Sequence, residues 1–167
     1  LSRDRLTWDA RYRLDTAWAD HVQTLLGYQY ATSLQTGTTD RNTLPDRERE
    51  ANYTEVTLQA RVQADKMVSL TPAWGKQRIT YGFDYVAANI TNLFTGVNPL
   101  PPEVFPLKRF PDTRESSAAL YVQGEWVNEA WTVVPGLRLD QFAVDVRTQD
   151  GFYPPAKLPA RSLSGSA

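Results

Sequence analysis

Apolar and polar residues alternate along most of this 167-residue chain. The clearest example runs from Glu115 to Phe142, where every second residue is apolar on both sides of a short break at 128–129. A period of two residues is typical of a β-strand with one apolar and one polar face. The segment therefore predicts a long antiparallel hairpin.

Four earlier segments alternate in the same way, and runs with the i, i+3, i+4, i+7 spacing of a capped amphipathic helix are missing. In chain order they are Arg5–Leu14, Val22–Leu34, Asn52–Ala64 and Arg78–Ala88. Together with the hairpin they predict an all-β, antiparallel, up-and-down protein of about six long strands.

A two-residue turn at 128–129 sets the register of the predicted hairpin. Trp126 then faces Trp131 on the apolar face, and Tyr121 covers Gly136 on the polar face. An aromatic ring over a strand glycine is a stabilising cross-strand pair.

Two features of the last strand are irregular. Pro135 has no N–H to give to a ladder, so it needs a bulge or a position outside the hydrogen bonding. The apolar set continues one position late from Phe142, and a β-bulge near Gln141 would produce that change of phase.

Strand and connector lengths suggest what the apolar face meets. The predicted strands have about 10–13 residues, whereas strands of soluble proteins cluster near 5–6 and a tilted membrane strand needs about 9–11. Short connectors at 15–20 and 128–130 alternate with longer ones at 35–51 and 89–114. Outer-membrane barrels have this asymmetry, so the pattern favours a transmembrane β-barrel segment.

Composition narrows the function classes. A net charge of −1 and a pI of about 5.9 argue against a generally basic nucleic-acid-binding protein. Cysteine is absent, which excludes disulfides, Cys-ligated zinc and a cysteine nucleophile. The one histidine, His21, falls beside a short turn and is expected to be a solvated turn residue. No phosphate loop, zinc motif or calcium loop occurs, so an enzyme is not expected.

The five tryptophans lie near predicted short turns or strand ends, which suits a membrane interface because the ring is apolar and the N–H favours water. Ordinary core aromatics are the alternative. The residues are Trp8, Trp18, Trp74, Trp126 and Trp131.

Three stretches resemble the barrel of TonB-dependent outer-membrane receptors. They are "ITYGFDYVAANITN" at 79–92, "RFPDTRESSAALYVQGEW" at 109–126 and "VVPGLRLDQF" at 133–142. The Phe-Pro-Asp-Thr sequence at 110–113 is most similar to the haem and haemoglobin receptor branch.

The resemblance implies a location in the outer membrane of a Gram-negative bacterium and uptake of a scarce nutrient driven by the TonB complex. Such receptors hold a plug domain inside a barrel of about 22 strands. Residues 1–167 are expected to be a partial barrel domain, incomplete and without plug, TonB box or the haem-receptor motifs Phe-Arg-Ala-Pro and Asn-Pro-Asn-Leu. The partners implied are lipid or lipopolysaccharide, the TonB complex through the plug, and haem or haemoglobin. No cofactor is expected in this segment, which would not transport alone.

Charged residues on the predicted polar face are candidates for the lumen of the barrel, where they would contact water and the plug. These residues are Arg61, Asp84, Glu125, Arg138 and Asp140. Paired carboxylates also occur in acid–base catalysis, but no nucleophile accompanies them here.

The proline-dense stretch 96–111 is a candidate ligand loop. Leu100, Val104 and Phe105 are predicted to contact haemoglobin or another haem carrier, since long ordered loops with apolar tips often bind a partner. The alternative is a loop folded over the barrel mouth. The charged stretch 46–52 is expected to be solvated or to contact lipopolysaccharide phosphates.

Two other functions remain open from the sequence. A siderophore or cobalamin receptor would have the same barrel pattern. A soluble β-sandwich that binds a ligand would bury Leu58, Leu120 and Leu137 in one core between two sheets. The membrane interpretation predicts instead that the apolar rows face hydrocarbon, with Leu58, Val62, Leu120, Val122, Leu137 and Leu139 pointing away from the interior.

Overall fold

The chain forms one antiparallel β-sheet. A computed structural model describes residues 1–69, 76–147, 151–152 and 160–166. Its strands are β1 Ser2–Arg13, β2 His21–Thr39, β3 Arg47–Val68, β4 Lys76–Val97, β5 Asp112–Val127, β6 Thr132–Val133, β7 Gly136–Arg147 and β8 Ala160–Ser166. Their order in the sheet is β1-β2-β3-β4-β5-β7-β8, and the short β6 pairs with β5. The all-β, up-and-down prediction is confirmed.

The sheet is open. Within the described part of the chain, β1 and β8 each pair with a single neighbour and not with each other. This arrangement agrees with the expected incomplete barrel, whose edge strands would need further strands as partners. No helix in the described residues has the length and apolar character needed to cross a membrane.

The central strands are longer than the sequence pattern predicts. β3 and β4 each have 22 residues, and β2 has 19. The alternation marks only the part of each strand that has an apolar face, whereas the backbone ladder continues through Thr, Glu and Asn residues beyond it. Consequently the connectors 40–46 and 98–111 are shorter than expected.

The predicted hairpin register is wrong by two residues, because the turn tip lies one residue further along the chain. Trp126 pairs with Val133, not with Trp131, and the N–H of Asn128 donates to the Trp131 carbonyl at 2.9 Å. The turn tip therefore lies at 129–130. Asn-Glu is a weak turn signal, so the sequence could not fix which two residues form the tip.

The predicted contact between Tyr121 and Gly136 is also wrong. Tyr121 pairs with Arg138 on β7 and with Gly82 on β4. An aromatic ring does cover a glycine, but the glycine is on the other neighbouring strand.

The two irregularities of the last strand have different outcomes. Pro135 falls in the gap between β6 and β7, where its carbonyl accepts from Gly124 N–H at 2.9 Å, so the expected position outside the regular ladder is confirmed. The bulge near Gln141 is wrong, because β5 and β7 pair without interruption from Asp112↔Arg147 to Gln123↔Gly136. Regular pleating then puts Phe142 on the polar face.

The apolar rows of β1 to β5 and of the first part of β7 lie in register on one face. Across the middle of the sheet, Val62 pairs with Phe83, Phe83 with Leu120, and Leu120 with Leu139. The six side chains predicted to face lipid are each 45–60% exposed. No second layer covers them in the described residues. The soluble-sandwich alternative is therefore wrong, since Leu58, Leu120 and Leu137 are not buried in a shared core.

Candidate functional site

The opposite, polar face carries a connected ion network at mid-strand. Asp84 on β4 accepts from Arg61 Nε at 2.7 Å and from Arg138 Nη1 at 3.2 Å. Arg138 Nε also donates to both oxygens of Asp140, at 2.9 and 3.0 Å. Strand pairing places these groups side by side, because Arg61, Asp84 and Asp140 lie in one cross-strand row and Arg138 lies in the next row on the same face.

Tyr121 contacts this network; the sequence pattern placed it on the polar face but not among the predicted lumen residues. Its ring lies beneath Arg138, whose guanidinium carbon is 5.7 Å from the ring centroid. Its hydroxyl donates to Gln63 Oε1 at 3.0 Å. A Cβ built on Gly82 would meet the Tyr121 hydroxyl oxygen at 2.5 Å, so the ring rests directly on that glycine. The ring thereby fixes the position of Arg138 on the sheet.

Of the five predicted lumen residues, four form this network and Glu125 does not. Glu125 pairs with Arg78 near the short-turn end of the sheet, and beside Met67 and Val127 it lines an open depression. Every carboxylate in the network is already paired with arginine. Such an arrangement suits a hydrated, charge-balanced wall better than acid–base chemistry.

No group of three or more His, Asp or Glu side chains in the described residues could hold a metal ion. His21 begins β2, with its imidazole 53% exposed and its Nδ1 3.2 Å from Asp65 Oδ2. The expected position beside the short turn is confirmed.

The proline-dense connector is fastened to β4. Phe94 and Leu107 exchange two backbone hydrogen bonds of 2.8 and 2.9 Å. Asn92, 2% exposed, accepts from Arg109 N–H at 2.8 Å and donates to the Phe110 carbonyl at 2.6 Å. The connector therefore lies along the sheet with a defined course.

The three predicted ligand-contact residues differ in exposure. Val104 is 72% exposed and Leu100 43%, whereas Phe105 is partly buried. The two exposed side chains lie on the connector beside Glu103, which forms an ion pair with Arg47 of β3. They are accessible to a partner at the long-connector end of the sheet.

A second cluster lies where this connector meets the polar face. The buried Phe94 ring packs edge-on against Tyr53, with a centroid distance of 5.5 Å. The guanidinium carbons of Arg49 and Arg109 lie 5.8 and 5.1 Å from the Phe94 centroid. Phe110 stacks on the Tyr53 ring, with a centroid distance of 6.3 Å. Sequence reasoning missed this cluster because Arg109 reaches it only through the course of the connector.

The short β1–β2 turn is held onto β3 by Asp20. Its Oδ1 accepts from Lys66 Nζ at 2.6 Å and its Oδ2 from Met67 N–H at 2.7 Å. The Lys66 hydrogen bond, followed by the Met67 backbone hydrogen bond, lowers the pKa of the Asp20 carboxyl below its ordinary value. Asp20 is therefore charged at neutral pH and fixes the turn.

The four tryptophans in the described residues differ in exposure. Trp18 of this turn is 57% exposed, and its carbonyl accepts from the Tyr81 hydroxyl at 2.8 Å. Trp8 and Trp131 are 48% and 39% exposed, and Trp126 is partly buried. Trp74 lies outside the described residues.

A comparison with protein families identifies one whose model spans this chain from end to end. The model described as "TonB dependent receptor-like, beta-barrel" matches residues 1–167. A comparison with curated proteins finds no match.

Proposed function

The chain belongs to the TonB-dependent receptor β-barrel family, and we propose that it forms part of the wall of an outer-membrane receptor for haem, or for haem carried by haemoglobin. Family membership supports an outer-membrane transport receptor. The nutrient is the further step, and it rests on the similarity of residues 110–113 to the haem branch.

One observation carries the membrane assignment: an apolar face runs across the whole sheet and no described residue covers it. Leu120, at 60% exposure, is flanked on both neighbouring strands by apolar side chains. The opposite face holds ion pairs that need water or polar partners. In a bilayer, these two faces correspond to lipid and lumen.

The orientation is tested with single cysteines, since the chain has none of its own. Leu120→Cys and Val122→Cys should resist a membrane-impermeant maleimide in outer-membrane preparations and react after detergent solubilisation. Gln123→Cys, on the same strand and the opposite face, is the matched control. Equal protection of all three cysteines, or equal labelling of all three in membranes, would contradict the proposed wall.

The nutrient is tested by growth under iron limitation. A strain that depends on this receptor should grow on haemin or haemoglobin as its iron source. A siderophore or cobalamin receptor is the second candidate, because the barrel pattern is common to all three. Growth rescue by a siderophore, or cobalamin uptake, with no response to haemin would replace haem as the nutrient.

Haemoglobin contact is assigned to the exposed apolar tip of the 98–111 connector. Val104→Asp should reduce growth on haemoglobin and leave growth on free haemin unchanged, because a charge opposes apolar protein contact. Leu44→Asp, at a 56% exposed apolar residue of the 40–46 connector, is the control. A parallel loss on haemin in both variants would indicate a general defect and no haemoglobin contact.

The remaining partners follow from the same assignment. The polar network around Asp84 is proposed to face water and the plug domain, through which the TonB complex acts. The apolar face meets lipid and, near the charged residues 46–52, lipopolysaccharide. No nucleic-acid partner is proposed.

A further inference from the structure

We propose that Arg49 and Arg109, stacked on Phe94, bind a carboxylate of the transported nutrient, an assignment that rests on the uptake function proposed above. Both guanidinium groups lie within 6 Å of the same buried ring. Stacking of this kind holds a guanidinium by its flat face and leaves its N–H edges free for in-plane hydrogen bonds.

Positive charge exceeds negative charge at this position. Glu103 is shared, since one oxygen pairs with Arg47 and the other lies 3.8 Å from Arg109, too far for a hydrogen bond. Arg49 has no hydrogen bond or ion pair within the described part of the chain. A carboxylate, which accepts two parallel hydrogen bonds from one guanidinium, is the complementary ligand group.

The cluster is held in place before any ligand arrives. Asn92 accepts from the backbone N–H of Arg109, and Phe94 exchanges two hydrogen bonds with Leu107. Gly96, with φ +154°, is the pairing partner of Arg49, and a Cβ there would run into the Glu48 carbonyl. Fixed arginines lose little conformational entropy when they bind, which favours affinity.

The face on which the two arginines lie indicates whether their anion comes from the nutrient or from lipopolysaccharide. Arg49 lies on the same face of the sheet as Arg61 and the ion network, opposite the apolar face. Lipopolysaccharide phosphates surround the lipid side of a barrel, whereas a nutrient enters along the lumen. The position therefore favours a nutrient carboxylate, such as the two propionates of haem, over a lipid phosphate.

The test measures haemin affinity by absorbance titration of the detergent-solubilised receptor. Arg49→Gln and Arg109→Gln should each weaken haemin binding about tenfold or more, the typical effect of losing a hydrogen bond to a charged group. Haemin dimethyl ester, which lacks both carboxylates, should bind the wild type and both variants alike. Arg49→Lys should restore part of the affinity, since the charge returns without the flat stacking group.

Arg114→Gln is the matched control. It removes an exposed arginine near the same end of the sheet, on the opposite face, and should leave affinity unchanged. The carboxylate site is overturned if the Arg49 and Arg109 variants bind haemin with unchanged affinity. It is also overturned if the variants lose as much affinity for haemin dimethyl ester as for haemin.

Failure of the haem assignment is distinguished by a second probe. If the wild type does not bind haemin but binds ferric citrate in an Arg49-dependent manner, the nutrient is wrong and the carboxylate site stands. If neither probe binds, the site is overturned as well. Loss of co-purifying lipopolysaccharide in Arg49→Gln, with haemin affinity unchanged, would assign the site to lipid phosphate and overturn the nutrient assignment.

Discussion

At the scale of single residues, the polar face is organised by one glycine. Tyr121 lies on Gly82 and carries Arg138 above its ring. The sequence pattern predicted that Tyr121 would cover a glycine, but the glycine it indicated was Gly136 and not Gly82. Both choices satisfy the alternation, and only strand pairing distinguishes them.

We expect Gly82→Ala to destabilise the protein by about 1–3 kcal/mol, the usual cost of overpacking. The new methyl group would lie 2.5 Å from the Tyr121 hydroxyl oxygen and 2.7 Å from the Val62 carbonyl oxygen. Urea unfolding in detergent micelles measures the effect. Gly37→Ala is the control, because nothing lies within 4 Å of a Cβ at Gly37.

The companion variant Gly82→Ala/Tyr121→Ala should recover only part of the loss. It removes the clash with the ring but leaves the clash with the backbone carbonyl of Val62. Gly82→Ala with wild-type stability would show that the ring moves away freely and does not order the network.

The Asp20 anchor predicts an acid-sensitive turn. The pKa of Asp20 is lowered in the folded state, so its contribution is present above the unfolded-state pKa near 3.9 and is lost as pH falls through the folded value. Below about pH 4, release of the turn should change the fluorescence of Trp18. Asp20→Asn should remove that transition, with Trp18→Phe as the control that identifies the reporter. An unchanged transition in Asp20→Asn would assign it to another carboxyl group.

Among the strands and turns, the local sequence pattern determines where strands form, whereas pairing with neighbouring strands determines their length and register. The alternating segments all became strands, and Pro135 interrupts the ladder as its chemistry requires. The extra length of β3 and β4 was not predictable from the sequence. A segment of polar residues extends a strand only when a partner strand hydrogen-bonds with its backbone N–H and C=O groups.

The hairpin register is testable by cross-strand disulfides. Trp126→Cys with Val133→Cys should oxidise readily, since the two positions are direct partners. Trp126→Cys with Trp131→Cys, which the sequence alone favoured, should oxidise poorly. Gel mobility with and without reductant reads the result. Preferential formation of the disulfide between positions 126 and 131 would show that the turn tip lies at 128–129.

At the scale of the whole molecule, both outer edges and one entire face of the described sheet lack a protein partner. A bilayer accommodates an apolar face, but backbone groups at a sheet edge need hydrogen bonds from further strands. The family match agrees with a sheet that continues into a closed barrel.

We therefore expect the isolated 167-residue chain to self-associate in buffer without detergent. Exposed side chains such as Leu6, Leu58 and Leu120 would aggregate in water, and the edges of β1 and β8 would pair with other copies. Sedimentation velocity, with and without detergent micelles, measures this. A monodisperse, cooperatively unfolding monomer in plain buffer would contradict the membrane wall.

Side-chain alternation is a local property of the chain, so it predicted the strands and their two faces, and the contiguous motifs at 79–142 indicated the family. It also placed Arg61, Asp84, Arg138 and Asp140 on one face. The folded sheet was needed to show which of them touch, which glycine lies under Tyr121, and that Arg49 and Arg109 meet at Phe94. Those contacts depend on register and on the course of a connector, which are set by hydrogen bonds between residues far apart in the chain.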